Sequence, residues 1–292
     1  MAAAAYKMAP QFFSRVSEDL KRPVLAAPNH PNVADWPAVG LHAAWLGHST
    51  TWINVDGFTI LTDPVFSERI GLNVGPVTLG IKRLVKPALF MRELPRPDLI
   101  LLSHAHMDHF DIPSLRRLED PASSIVTATK TSDLLRPDRY AKVHELAWNE
   151  ETQIGPATIK AIQVKHWGSR MRSDTYRGYN AYLIEVSGRR IVFGGDTAYT
   201  DSFRQVRGSR PVDLAIMPIG AYNPWIGVHC NPEQALAMAG DAGAECVLPV
   251  HHRTFELSSE PQAEPMERIL EAAGSSSDRI VCREIGAEWH AV

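Results

Sequence analysis

The chain has 292 residues, 45% of them hydrophobic and 22% charged, enough to bury one sizeable core and unlike a disordered, fibrous or membrane-spanning composition. A formal charge of −3 supplies no global positive field to gather nucleic acid, so no nucleic-acid partner is expected. There is no run of eighteen apolar residues and no charged leader with a long apolar core behind it. Together with the widely spaced Cys230, Cys246 and Cys282, which read as reduced thiols, this leads to the expectation of a cytoplasmic protein.

Residues 1–40 are rich in alanine and proline and read as an N-terminal extension with one short helix over Phe12 to Leu20. From residue 41 to 292 no boundary stands out, and a single domain is expected. Its first strands are His42 to Leu46, Thr51 to Val55 and Phe58 to Thr62, the last two joined by an Asp56-Gly57 hairpin turn. Residues 71–95 mix apolar residues with Lys82, Arg83, Lys86 and Arg92 and read as a long loop or loop-plus-helix insertion. Asp98 to Ser103 is a short apolar run suited to a strand buried on both faces, and Asp111-Ile-Pro-Ser-Leu opens a helix with proline in its first turn. Further strands are expected at Ser124 to Thr127, Ala157 to Val164, Asn180 to Val186, Arg190 to Phe193, Leu214 to Pro218 and Cys246 to Val250. Helices are expected at Thr131 to Leu135, Pro232 to Ala239 and Pro265 to Ala273. Strands and helices alternate without a repeat period, which is the pattern of an α/β layered sandwich.

The chemistry concentrates on the loop between the buried strand and its helix, where His104, His106, Asp108 and His109 fall within six residues. Imidazole and carboxylate are the ligands that borderline divalent metals prefer, and residues two apart on an extended backbone point the same way, so His104 and His106 can share one ion. A metal needs more ligands than one loop supplies. Other strand-like runs end in His166, Asp196 and His251.

The motif His104-x-His106-x-Asp108-His109, with a later His166, Asp196 and His251, resembles the metallo-β-lactamase-fold superfamily. Trp45-Leu-Gly-His-Ser-Thr, Leu61-Thr-Asp-Pro, Phe193-Gly-Gly-Asp-Thr-Ala-Tyr and Pro218-Ile-Gly-Ala-Tyr resemble its N-acylphosphatidylethanolamine-hydrolysing phospholipase D-like branch, over roughly residues 40 to 256. The resemblance implies a four-layer αβ/βα sandwich with the metals at one edge between two sheets. It also implies two divalent ions per chain, most readily Zn2+ with Mn2+ or Fe2+ as alternatives. His104, His106 and His166 would hold one ion, Asp108, His109 and His251 the other, and Asp196 would bridge them. Of the neighbours His251 and His252, His251 continues the apolar run and takes the ligand position. Asp63 in Leu-Thr-Asp-Pro would orient a ligand histidine by accepting its ring N–H.

The implied reaction is phosphodiester hydrolysis of a small-molecule or phospholipid-like substrate by a hydroxide held between two metals, with Asp108 in the catalytic set. His229, in Gly227-Val-His-Cys-Asn-Pro-Glu-Gln-Ala, is the candidate to protonate the leaving group, and His48 in Gly-His-Ser-Thr is a second catalytic candidate. Tyr222, His252 and Arg253 are candidates for substrate contact, and residues 71–92 for an acyl chain or a peripheral membrane contact. Where the phospholipid enzyme has Ile-His-Trp-Gly-Thr-Phe this chain reads Val250-His-His-Arg-Thr-Phe, a difference beside the expected metal edge. A lactonase or esterase resembling ascorbate-6-phosphate lactonase is the alternative within the fold, and a metal-binding sensor module is the alternative outside catalysis.

Overall fold

The computed structural model describes residues 22–75 and 77–291. Fifteen strands and three α-helices occur among them. The strands are β1 (Leu41–Gly47), β2 (Thr50–Val55), β3 (Phe58–Thr62), β4 (Arg69–Val74), β5 (Val77–Lys82), β6 (Leu99–Leu101), β7 (Ser124–Ala128) and β8 (Lys142–Leu146). They continue with β9 (Glu151–Ile154), β10 (Ala157–Ile162), β11 (Ala181–Val186), β12 (Arg189–Phe193), β13 (Val212–Pro218), β14 (Ala244–Val250) and β15 (Glu288–Ala291). The helices are α1 (Ile112–Arg117), α2 (Pro232–Ala242) and α3 (Glu264–Ala273). The helix expected over Phe12 to Leu20 lies outside the described residues.

Two mixed sheets face one another, one ordered β15-β1-β2-β3-β6-β7-β8 and the other β14-β13-β12-β11-β10-β9. Strand alternation decides which side chains fill the space between them. Leu99 and Leu101 of β6, Phe193 of β12, Ile216 of β13 and Leu248 of β14 all enter one central core. Their in-between neighbours face outward: Val192, Ala215, Met217 and Val247 pack under Met238, Ala239 and Ile269 of α2 and α3. On the other sheet Ile100 and Ile125 pack against Leu115 of α1 and Tyr140. The result is helix on sheet on sheet on helix, a metallo-β-lactamase fold, and it explains why β6 and the later parts of β12–β14, from residues 191, 214 and 247 onward, are unbroken apolar runs.

Local signals act as the sequence suggests in several places. Asp56 and Gly57 take positive φ of 49° and 88°, as a two-residue turn between right-twisted strands requires. Helix α2 opens on a reciprocal cap, Asn231 Oδ1 accepting from the Gln234 amide at 2.9 Å and Gln234 Oε1 from the Asn231 amide at 3.2 Å. It stops at Gly243 in the left-handed region.

The structure departs from the sequence expectations at three points. The stretch read as a loop or loop-plus-helix contains a β-hairpin, β4 pairing antiparallel with β5 from Arg69↔Lys82 to Val74↔Val77. Gly71 and Gly80 lie opposite one another there, so close that a Cβ on Gly80 would meet Ile70 O at 1.9 Å. The helix expected at Thr131 to Leu135 is a single 3-10 turn, Ser132–Leu134. Three unexpected strands, β8, β9 and β15, are all sheet edges, where one neighbour is missing and polar side chains stay wet. Residues 22–40 lie against the first sheet, with Val33 buried in the central core and Trp36 Nε1 donating to Glu288 at 3.0 Å.

Truncating a core residue tests the sandwich packing. Leu248→Ala, at a fully buried position between the sheets, is expected to cost about 2–5 kcal/mol. This is read as a lower urea midpoint with an unchanged slope.

Candidate metal centre

Parallel and antiparallel pairings put the carboxyl ends of β1, β3 and β6 in one sheet, and of β10, β12 and β14 in the other, at a single edge of the sandwich. Each of those ends carries a chemically competent side chain: His48, Asp63, the His104–His109 loop, His166, Asp196 and His251. The backbone is bent to aim them. His48, Asp63 and His251 have φ of 51°, 30° and 64°, a left-handed conformation costly for any residue with a Cβ. Gly195, at φ 54°, has no room for a side chain, since a Cβ would lie 2.8 Å from Asn180 O and from Ser103 Cβ.

His104, His106 and His166 form one group, with His104 Nε2 2.8 Å and His166 Nε2 3.3 Å from His106 Nδ1. The far nitrogens of two of them are engaged. His166 Nδ1 donates to Val228 O at 2.8 Å and His104 Nδ1 lies 2.9 Å from Ser103 Oγ, which itself donates to Asp63 Oδ2 at 2.5 Å. These partners fix the tautomers so that both Nε2 lone pairs face the cleft. Burial, the largest influence, lowers His106 to about 4 and His166 to about 3, and holds His104 well below 6.5.

Asp108, His109, His251 and His48 form the second group. His251 Nε2 is 3.4 Å and His109 Nε2 3.6 Å from Asp108 Oδ2. His109 Nδ1 donates to Asp63 Oδ2 at 2.6 Å, and the Ser103 amide and hydroxyl complete Asp63's hydrogen bonding. Asp196 stands between the groups, its Oδ2 3.1 Å from both His109 Nε2 and His251 Nε2 and 3.8 Å from His166 Nε2.

Divalent cations fit this arrangement. Asp196 Oδ1 is buried without a hydrogen-bond partner, and His109 Nε2 and His251 Nε2 are buried with only poorly directed contacts to Asp196 Oδ2, a condition costing several kcal/mol unless something else satisfies them. In the protein alone the balance falls on protons. Burial opposes charging His109, but Asp196 and Asp108 outweigh it and draw it well above 6.5; the same contest takes His251 to about 9. Both carboxylates, which burial alone would raise, are held well below 3.8 chiefly by His109. A metal takes the place of those protons on the same lone pairs. His104, His106 and His166 would hold one ion and Asp108, His109 and His251 a second, with Asp196 reaching both.

His229 and His48 also reach the cluster. His229 Nδ1 is 3.8 Å from Asp196 Oδ2, its ring lies 5.0 Å from that of His166, and burial lowers its pKa, so it is a neutral imidazole at pH 7. His48 Nε2 is 3.0 Å from Asp108 Oδ2, and burial followed by His251 lowers it to about 3. It donates to Asp108 and holds that carboxylate in place.

The three residues expected to touch substrate turn elsewhere. Tyr222 donates to Glu264 Oε1 at 2.7 Å beneath the Arg268 guanidinium, against α3. His252 is buried and stacked on Trp45 at a ring separation of 4.5 Å, because successive residues beyond a strand end point to opposite sides and His251 takes the cleft. Arg253 pairs with Glu284 at 2.8 Å.

Several site residues carried no sequence signal. Ser103 links Asp63 to His104. Arg170 Nη1 ties the ligand loop down through Ala105 O at 3.1 Å and Phe110 O at 2.8 Å. Trp167, 40% exposed, lies 4.6 Å from the His106 ring and forms the rim. A serine, an arginine bonded to carbonyls and a surface tryptophan have no spacing rule to betray them, although Trp167 does follow His166 directly.

Comparison with known proteins agrees with this geometry. Residues 59–252 match the family described as Beta-lactamase superfamily domain. An uncharacterized protein of Mycobacterium tuberculosis is 36% identical over 256 residues, 83% of this chain and 67% of its own length. The mitochondrial N-acyl-phosphatidylethanolamine-hydrolyzing phospholipase D of Saccharomyces cerevisiae is 34% identical over 261 residues, 84% of this chain and 55% of that protein. Among solved structures, the metallo hydrolase Igni18 from Ignicoccus hospitalis superposes with a TM-score of 0.63 at 17% identity, covering 87% of this chain and 99% of that one.

Because Asp63 holds His109 without reaching the cleft, Asp63→Asn should keep the fold and weaken Zn2+ binding by about 10–100-fold. Competition with a chromophoric chelator measures this, and an affinity equal to wild type would remove Asp63 from the centre.

Proposed function

Because this chain belongs to the beta-lactamase superfamily and is a metal-dependent hydrolase of the metallo-β-lactamase fold, we propose that it is a dinuclear phosphodiesterase acting on a phospholipid-like substrate. One observation carries the dinuclear part: two ligand groups, each complete enough for an ion, converge on the single Asp196 carboxylate. Zn2+ suits the imidazole-rich set, with Mn2+ and Fe2+ compatible by ligand type. Two such ions, when bound, supply Lewis acidity toward a phosphoryl oxygen and lower the pKa of water toward about 7.

The chain's own groups do the positioning. Asp63, Ser103 and Val228 O fix three imidazoles in the orientation a ligand needs, so little reorganisation is left for the reaction itself. Asp108, held by His48, faces the same cleft. His229, a neutral imidazole with Nδ1 3.8 Å from Asp196 Oδ2, is placed to hydrogen-bond a phosphoryl or departing oxygen rather than to protonate it.

The phospholipid-like part rests on the yeast relative and on the rim. Trp167 sits over His106 and His166, and the loop leading to His229 exposes Trp225 and Ile226, with His229 N–H bonded to Trp225 O at 2.9 Å. Such a lip suits a substrate with an apolar body behind its phosphodiester.

Metal analysis with a substrate panel tests the reading. Two metals per chain and turnover of a bis-aryl phosphodiester and of N-acylphosphatidylethanolamine are expected. Asp196→Ala should lower kcat/KM by more than about 100-fold, since groups one step removed from a metal already cost about 10–100-fold. Trp167→Ala should raise KM for the lipid and leave the bis-aryl substrate nearly unchanged. Fewer than one metal per chain, or turnover of lactones with none of phosphodiesters, would sink it.

A further inference from the structure

Away from the metal cleft, a second cavity of about 450 Å3 opens between the segment following β3, the segment following β5 and helix α1. That volume falls within the usual range for small-molecule sites. Its apolar wall is made by Phe66, Pro87, Phe90 and Met91. Around that wall stand four cations, Arg83, Lys86, Arg92 and Arg117, against one carboxylate, Glu68.

Three of these cations, Lys86, Arg92 and Arg117, are exposed, and the fourth is not part of that solvated fringe. Arg83 is 1% exposed, and its guanidinium donates only to backbone: Ser67 O at 2.9 Å, Val65 O at 2.8 Å and Val85 O at 3.2 Å. No carboxylate among the described residues lies within ion-pair distance of it, so Asp111 and Glu68 favour its charge only from longer range, and burying a charge without a close partner is expensive. Glu68 is 67% exposed on its side chain and approaches Lys82 at 3.8 Å instead. Lys86 and Arg117 are exposed and make no ion pair among the described residues, and Arg92 stacks over the exposed Phe90 ring at 5.0 Å. An apolar wall with an excess of three positive charges, one of them buried, calls for a ligand having both an apolar body and a negative head.

We propose that this cavity binds a single-chain amphipathic anion, a long-chain fatty carboxylate, at a site separate from the metal centre. The chain lies along Phe66, Phe90 and Met91, and the carboxylate faces Arg83, Lys86 and Arg117. The cavity wall reaches the metal centre by packing, Arg83 lying over the Phe255 ring at 5.1 Å and Phe255 meeting the His48 ring edge-on at 5.2 Å, and by hydrogen bonds from Arg83 to Val65 O, from the Val65 amide to Thr50 Oγ1 and from that hydroxyl to Asp63 O. The site stands whatever substrate the metals serve.

Titration calorimetry of the full-length, metal-loaded protein with dodecanoate tests this, with inorganic phosphate and uncharged dodecyl maltoside as comparison ligands. One saturable dodecanoate site per chain is expected, with phosphate and the maltoside both much weaker. The double variant Lys86→Glu/Arg117→Glu, at two exposed positions, should bind dodecanoate about tenfold more weakly, a change of about 1.4 kcal/mol, while keeping wild-type metal content and wild-type bis-aryl phosphodiester turnover. Phe90→Asp should weaken it as well. Four results would overturn the proposal. These are no saturable binding, as when another part of the chain fills the cavity; equal binding of the maltoside; unchanged affinity in the double variant; and loss of dodecanoate binding on chelation, which would put the carboxylate on the metals.

Discussion

Everything at the working edge of this molecule follows from a convergence of lone pairs that the protein cannot satisfy by itself. His104 and His166 are locked by Ser103 and Val228 with Nε2 toward the cleft, and His109 is locked by Asp63 in the same way. Two carboxylates are sunk among them. Left to protons, the cluster divides into imidazoles too buried to charge and two, His109 and His251, forced to charge by their acidic neighbours. Divalent cations remove both conflicts at once, so the folded architecture is pre-arranged for metal.

That arrangement taxes the local backbone. A left-handed conformation at His48, Asp63 and His251 costs on the order of 1–3 kcal/mol at each position when no favourable interaction selects it. All three are the first residues beyond strands or their turns, where a normal extended step would carry the side chain past the cleft. Left-handed residues also occur in turns elsewhere, such as Asn149 and Ser187, but at this edge three of them carry the side chains that form the cluster: the core holds the strands and the strand ends absorb the distortion.

How much of this could be read from the sequence depended on how strongly each residue's surroundings constrain its type. Stretches buried on both faces, such as β6 and the Val247 to Val250 part of β14, are apolar throughout and were plain. Edge strands β8, β9 and β15 need only half a hydrophobic pattern and were silent. The hairpin β4–β5 was legible in principle, since Ile70, Leu72 and Val74 alternate against Leu79 and Ile81. Its glycines and the basic residues beyond it blurred that period when residues 71–95 were taken as one segment. The ligand loop stood out because four ligating side chains in six residues have few other uses. Proximity in sequence to a strand end does not say on which side a side chain emerges: His252 is the neighbour of His251 and faces the opposite way, onto Trp45.

His252 nevertheless bears on the site from behind. The Trp45 indole against which it stacks donates to His48 O at 2.7 Å, and the His251 amide donates to the same carbonyl at 3.0 Å. One oxygen therefore receives a bond from each sheet. The His48 amide adds a third link, donating to Thr254 Oγ1 at 2.7 Å, while on the far side of the cleft Tyr182 OH of the second sheet donates to Leu102 O of the first at 2.9 Å. The close-packed core already holds the two sheets together, and these hydrogen bonds add directional constraints at the cleft itself. Core and bonds together fix the offset that places His251 and Asp196 opposite Asp108 and His109. A metal site assembled from two sheets demands this fixed offset more than it demands any one ligand's loop. The departure at Val250-His-His-Arg-Thr-Phe then has a structural reading: His252 and Thr254 serve the joint between the sheets, and Arg253, paired with Glu284, stays out of the cleft.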